Sequence, residues 1–497
     1  MKKRFIALMV ICLISASPIV GDSLTSRISS KLARSNDDDI WRQANRIVES
    51  IKQPNFLKKD YLITDFGAVG DGKSDARPAI MAAIDKCSKE GGGRVIIPSG
   101  EWFSKGPINL KNNVNLHFEK GAIVKFSTDP DDYLPVVFTR WEGMELMNYS
   151  PLIYTYGQNN VAITGEGILD GQADNKHWWP WKGIKEYGWY DGMPEQSVAR
   201  EKLFEQSEKG IHPSERVYGK GDYLRPNFIQ FYNCDRVLVK GITITNSPMW
   251  VNHPVLSQNI IYDGVTVISH GPNNDGLDPD SSKNVLIKNC YFDTGDDCIA
   301  IKSGMNADGR RINVPSENII IKNCTMKDGH GGIVIGSDMS GGVKNVFAED
   351  CYMDSPNLDR MLRIKTNSLR GGFVENVYMR NIEVEQVKKA VVSIDFYYEE
   401  GDVGEFPPLV KNINVEKVTS KNSKYGLYLR GYDRSPIRDV TIKNSVFTNV
   451  SKGNIIEAVK RLHLKNVVIG DDIYKDEIIN KTREVKEYAT SRILTIK

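Results

Sequence analysis

The sequence predicts an all-β fold, a parallel β-helix, and three observations carry that expectation. One short phrase recurs along the 497-residue chain: DRVLVKGI, QNIIYDGV, KNVLIKNC, ENIIIKNC, KNVFAEDC, ENVYMRNI, KNINVEKV and RDVTIKNS. Its second residues are Arg236, Asn259, Asn284, Asn318, Asn345, Asn376, Asn412 and Asp439, at intervals of 23, 25, 34, 27, 31, 36 and 27 residues. Each copy is rich in β-branched residues and alternates with period two, and a variable loop and another such strand follow it. Units this short leave no room for a strand–helix–strand crossover. Coils stacked at about 4.8 Å fit them.

Equivalent residues of stacked coils form columns. Asn259 through Asn412 are expected to build an asparagine ladder at a bend, because Asn tolerates left-handed dihedrals and its amide can bond the next coil. Cys290, Cys324 and Cys351 share a column and read as small buried apolar groups rather than disulfide partners. With Cys87, Cys234 and Cys298 they give no C-x-x-C spacing and no zinc pattern.

The remaining elements follow in chain order. Residues 1–21 (MKKRFIALMVICLISASPIVG) carry basic residues before a short apolar run, the pattern of a secretory signal. Acylation at Cys12 is the alternative, disfavoured by the bulky Ile11. Residues 22–60 read as a linker with a charged helix from Asp37 to Ile51. The β-helix spans residues 61–475, and 476–497 form a tail. Within DFGAVGDGKSDARPAIMAAIDKC, Asp65 to Cys87, an amphipathic helix with Pro78 in its first turn suits a cap on the open end of the solenoid. An excursion over residues 131–225 breaks the rhythm. Its stretch HWWPWKGIKEYGWYDG places Trp178, Trp179 and Trp181 either against a sugar ring or against one another. A net charge of +2, from 65 basic and 63 acidic residues, argues against a nucleic-acid binder. After the leader no apolar run is long enough to span a bilayer. The expected product is an exported protein, periplasmic or extracellular, without cofactor or metal, and a monomer.

Four coils align on their alternating strands: NDGLDPDS from Asn274, DDCIAIKS from Asp296, HGGIVIGS from His330 and DRMLRIKT from Asp359. Leu277, Ile299, Ile333 and Leu362 point inward. This register sets Asp275 over Asp297 and Asp296 over His330, with Arg363 and Lys365 on the same outer face. A solvated turn is the ordinary reading of one acidic pair. A calcium loop does not fit the spacing. Gly276, Gly295, Gly329, Gly331 and Gly332 around the patch suggest room for something bulky to approach the backbone.

The motifs NNDGLD, GDDCIAIKSG, GHGGIVIGS and RIK resemble, in order and spacing, those of the family 28 glycoside hydrolases, the polygalacturonase family. The likeness runs from about Asp65 to the mid-400s and implies a right-handed β-helix. It implies Asp296 as general acid, Asp275 and Asp297 as the carboxylates that activate water, and His330 as the residue that tunes the acid. Arg363 and Lys365 would bind a galacturonate carboxylate. Tyr398, with Tyr397 as the adjacent alternative, would contact substrate, and Asn273 and Lys302 fall in the same motifs as further substrate contacts. Asn274 stands where the family commonly has Thr. Such chemistry needs one protonated and one ionised carboxyl, and crowding is expected to raise the pKa of one acid of the pair. IGSDMSGGVKNV and NSPMWVNHPV are similar to bacterial exo-acting members, which makes His253 a site candidate, with a packed histidine beside Pro254 as the alternative. The implied reaction is inverting hydrolysis of α-galacturonosidic bonds in pectin, with release of terminal galacturonate. The competing readings are a rhamnogalacturonan or branched-pectin hydrolase, a pectin-type lyase, and a non-catalytic polysaccharide-binding β-helix.

Overall fold

The structure, a computed structural model, describes residues 39–483. The expected secretory signal therefore lies outside the described residues. A helix over residues 39–50 falls where the charged helix is expected and belongs almost entirely to a separate N-terminal unit. The solenoid belongs to the second unit, from Ser50 onward.

The recurring phrase forms one wall of a right-handed parallel β-helix. Asp235–Lys240, Gln258–Asp263, Lys283–Lys288, Ser316–Lys322 and Val343–Glu349 pair in parallel, residue on residue. Val237, Ile260, Val285, Ile319 and Val346 stack in one fully buried column. The ladder is present. All eight second-position residues adopt φ between +55° and +62°. The amides of Asn318, Asn345, Asn376 and Asn412 each donate to the preceding asparagine, at 2.9, 3.1, 3.0 and 2.7 Å. Asn259 instead donates to Asp235, 2.7 Å away, because an arginine at position 236 has no acceptor to offer. A second ladder runs through Asn289, Asn323, Asp350 and Asn381, with φ between +52° and +56°. Its signal was the seventh residue of the same phrase. All six cysteines among the described residues are free and buried.

The opposite wall carries the site. Asn252–Val255, Ile299–Ile301, Ile333–Gly336, Arg360–Lys365 and Ala390–Asp395 run in register. The segment Leu277–Asp280 joins the first two through isolated bridges at Leu277 and Asp280. Pro279 lacks an N–H, so this segment makes fewer ladder bonds than its neighbours.

Arg77–Lys89 is the expected capping helix, with Pro78 in its first turn and Ala79, Ile80, Ala83, Ile84 and Cys87 buried. The excursion differs from expectation. Ile153–Tyr156, Asn159–Gly165 and Ile168–Asp170 form a complete coil within it, with Asn160 at φ +59°. That coil divides it into two parts, one holding the hairpin Val137–Trp141/Met144–Asn148 and one holding the helix Ser197–Glu208. The flanking aromatics had masked the coil's alternation. At the other end Asp472–Lys481 pairs antiparallel with Val459–Ile469, so ordered strand continues past residue 475. Among the described residues no helix is long and apolar enough to cross a membrane.

Candidate active site

The register brings the expected residues together. Leu277 bridges Ile299, and Ile299 pairs with Ile333. Gly276 N–H donates to Asp297 O at 2.9 Å, and His330 N–H donates to Asp296 O at 3.1 Å. Asp275, Asp296 and Asp297 each bring a carboxylate oxygen within 4.8 Å of the others. Asp275 and Asp296 line a cavity of about 300 Å³, together with His330, Arg363, Lys365 and Tyr398. Asp297 lies beneath it, fully buried.

The glycines have another purpose than the one expected. A Cβ on Gly276 would lie 2.5 Å from Cys298 O, and one on Gly329 would lie 2.6 Å from Asp296 O. They let neighbouring coils close on each other. Room for a ligand comes from the cavity instead.

Each carboxylate has its own counter-charge. Lys365 Nζ lies 2.7 Å and Arg363 Nη1 3.2 Å from the two oxygens of Asp297. Burial raises the Asp297 pKa, but Lys365 and Arg363 outweigh it and hold the group ionised. These cations were expected to be answered by a substrate carboxylate; in the structure Asp297 already answers them. Asp296 Oδ1 accepts from the Asp297 N–H at 3.0 Å and lies 2.8 Å from His330 Nδ1. Burial works to raise its pKa, yet the His330 hydrogen bond and charge pull it well below the usual carboxylate range. The same bond raises the His330 pKa. Asp275 moves the other way: burial, then the Asp296 charge, push it up to about 7. The crowding expected to protonate Asp296 therefore protonates its neighbour one coil away, because Asp296 has an imidazole beside it and Asp275 does not.

Lys302 Nζ stands 3.6 Å from Asp275 and 3.5 Å from Asp278, and 4.4 Å from the centre of the Trp250 ring. It faces the cavity, but its charge is committed to the two acids. Asp278 is completely buried, and among the described residues its carboxyl makes no hydrogen bond. Burial and the Asp275 charge raise its pKa well above normal. Asp278 stands in the aligned stretch NDGLDPDS and was not singled out. Trp250, two residues beyond Pro248 in a quoted motif, lines the cavity and was also missed.

Asn273 lines the cavity, with its Oδ1 accepting from Arg225 at 2.8 Å. Tyr398 is the tyrosine that faces it, 5.4 Å from the Arg363 guanidinium and 5.2 Å from Lys365 Nζ. Tyr397 turns away onto Tyr432. His253 does not reach the cavity. It is fully buried behind Trp250, edge-on at 4.8 Å, and 3.3 Å from Asp280. Strand alternation puts its side chain under the insertion hairpin, whose Arg140 also holds Asp280, at 2.7 Å. Trp178 and Trp181 pack on each other, and Trp179 packs on Tyr187 and the coils. Trp178 is buried against Trp181, with ring centres 5.0 Å apart, and Trp179 Nε1 donates to Ser247 O at 2.9 Å. The excursion contributes Lys182, Tyr187, Arg200 and Glu142 to the cavity instead, and nothing in the repeat signalled them.

Two carboxyls of opposite proton affinity in one cavity fit the acid and base of a glycoside hydrolase. The pattern described as glycosyl hydrolases family 28 matches residues 217–467, just over half of the chain. The chain belongs to that family. A second pattern, rhamnogalacturonase A/epimerase, pectate lyase-like, matches residues 62–122. Among solved structures, a hyperthermoactive exopolygalacturonase from Thermotoga maritima superposes with a TM-score of 0.86 at 44% identity, over 88% of this chain and 98% of that one. A probable polygalacturonase of Vitis vinifera is 29% identical over 77% of this chain and 73% of its own. An exo-poly-alpha-D-galacturonosidase of Dickeya chrysanthemi is 26% identical over 72% of this chain and 62% of its own.

Proposed function

We propose that the protein is an exported exo-polygalacturonase that hydrolyses the terminal galacturonosidic bond of pectic chains with inversion at the anomeric carbon. The observation that carries this reading is the pair Asp275 and Asp296, facing one cavity with pKa values driven apart. Asp296 donates to the glycosidic oxygen. The proton is supplied from His330 Nδ1, 2.8 Å away. Asp275, with a proton affinity near neutrality, takes a proton from the attacking water. Asp297, clamped by Lys365 and Arg363, orients that water. Arg363, Lys365 and Tyr398 line the face where a uronate would sit.

Carboxyl groups of inverting hydrolases usually stand about 6.5–9.5 Å apart, and here carboxylate oxygens approach within 4.8 Å. Inversion is the stereochemistry that the family resemblance implies, and Asp297, buried with both oxygens in ion pairs, does not suit direct attack. Asp275 serves as base in its ionised form, whose share grows as pH rises through about 7. The exo mode draws on the Thermotoga relative and on the excursion, whose Lys182, Tyr187, Arg200 and Glu142 wall the cavity. NMR of the first turnovers tests the stereochemistry: inversion is expected, and early retention would refute it. Galacturonate monomer from the outset supports exo action, whereas mid-length oligomers at early times would overturn it.

A further inference from the structure

The cations facing the cavity are nearly all answered by acids of the chain. Lys302 serves Asp275 and Asp278, Arg363 and Lys365 serve Asp297, and Arg200 Nε lies 2.6 Å from Glu142 Oε2. Lys182 is the exception. Its ammonium has no carboxylate and no hydrogen-bond acceptor in reach among the described residues, and the side chain is half-buried in the cavity wall. Burial lowers its pKa, and the charge of Glu142 only partly compensates. A cation with no partner of its own, set in a cavity wall whose other cations are paired, is free to meet an anion that enters.

Lys182 is also held firmly. It ends the one-turn helix Trp179–Lys182, which contains Pro180. Trp181 O accepts from Gln196 N–H at 2.9 Å. Arg225, fully buried, ties Gln196 to the coils through Pro248 O, Pro272 O and Asn273. The anchors of this segment, at Ser247 and Pro272, precede Asp296 in coil order, whereas Arg363 and Lys365 follow it. A bond cleaved at Asp296 would therefore have the Arg363–Lys365 pair on one side and the segment that carries Lys182 on the other.

We propose that Lys182 is the floor of a second carboxylate-binding position, which takes the uronate of the ring across the scissile bond from the one at Arg363 and Lys365. This inference rests on the galacturonan reading above. It makes Lys182 a specificity-determining residue that selects free acids over esters at that ring, as opposed charges at close range do when desolvated.

The test uses Asp296→Asn protein, so that ligand survives, and calorimetric titration with digalacturonate and with its two monomethyl esters. Lys182→Met should weaken digalacturonate binding about tenfold and leave one monoester unchanged, the one whose masked carboxyl would have met Lys182. Lys182→Arg should retain most of the affinity. Equal weakening of all three ligands, or no weakening of digalacturonate, would overturn the inference while leaving the substrate reading intact. If Asp296→Asn protein with Lys182 present binds none of the three, the galacturonan reading falls and this inference with it.

Discussion

Asp275→Asn is expected to stabilise the protein at alkaline pH while abolishing its chemistry. The site lifts the Asp275 pKa from its ordinary 3.8 to about 7. At about 1.4 kcal/mol for each tenfold change in proton affinity, ionising it in the native state costs about 4 kcal/mol. The sign follows from proton counts. Below pH 3.8 both the folded and the unfolded chain hold the proton, and the cost is absent. Between 3.8 and 7 only the folded chain holds it, so stability falls as pH rises. Above 7 the full cost is present. Asparagine keeps the shape and cannot ionise. With an unfolding entropy of about 2.1 cal/mol/K per residue, a chain of this size shifts by roughly 1 °C per kcal/mol. The variant should therefore melt about 4 °C above the parent at pH 8 and level with it near pH 4. An equal or lower melting temperature at pH 8 would refute the assignment of the buried proton to Asp275.

Three further outcomes follow from other parts of the molecule. Asp296→Asn should lower turnover by about 10²–10⁴ without loss of fold, and reducing-sugar release close to the parent's would remove Asp296 from the acid role. Arg140→Met strips Asp280 of its buried arginine, leaving His253 beside it, and should cost about 3–5 kcal/mol, with much of it regained in the double variant Arg140→Met/Asp280→Asn; denaturant titration reads both. Asn345→Ala keeps a Cβ at φ +58° but loses the short polar side chain that makes this conformation tolerable, a penalty of up to about 1–2 kcal/mol, and removes the amide bonds to Asn318 and from Asn376, worth about 1 kcal/mol each. Asn345→Gly should lose the bonds but escape the backbone penalty, and equal destabilisation by the two would contradict that division.

The sequence alone determined the solenoid and the columns. Stacked coils make long-range contacts predictable from short-range pattern, because equal positions in successive phrases must meet. That is why Asp275, Asp296, Asp297, His330, Arg363 and Lys365 could be brought together across about 90 residues, and why the ladder asparagines stood out. The same logic failed where the chain leaves the coils. His253 sits in a strand, but the hairpin folded over it from the excursion buries it. Lys182 belongs to no repeat, so no alignment could place it in the cavity. Charge states were the other matter decided in three dimensions. Adjacency marked Asp296 and Asp297 as a crowded pair. Which carboxyl holds a proton depends on burial and on ångström-scale distances to Lys302, His330, Arg363 and Lys365, and the tertiary structure gave the proton to Asp275.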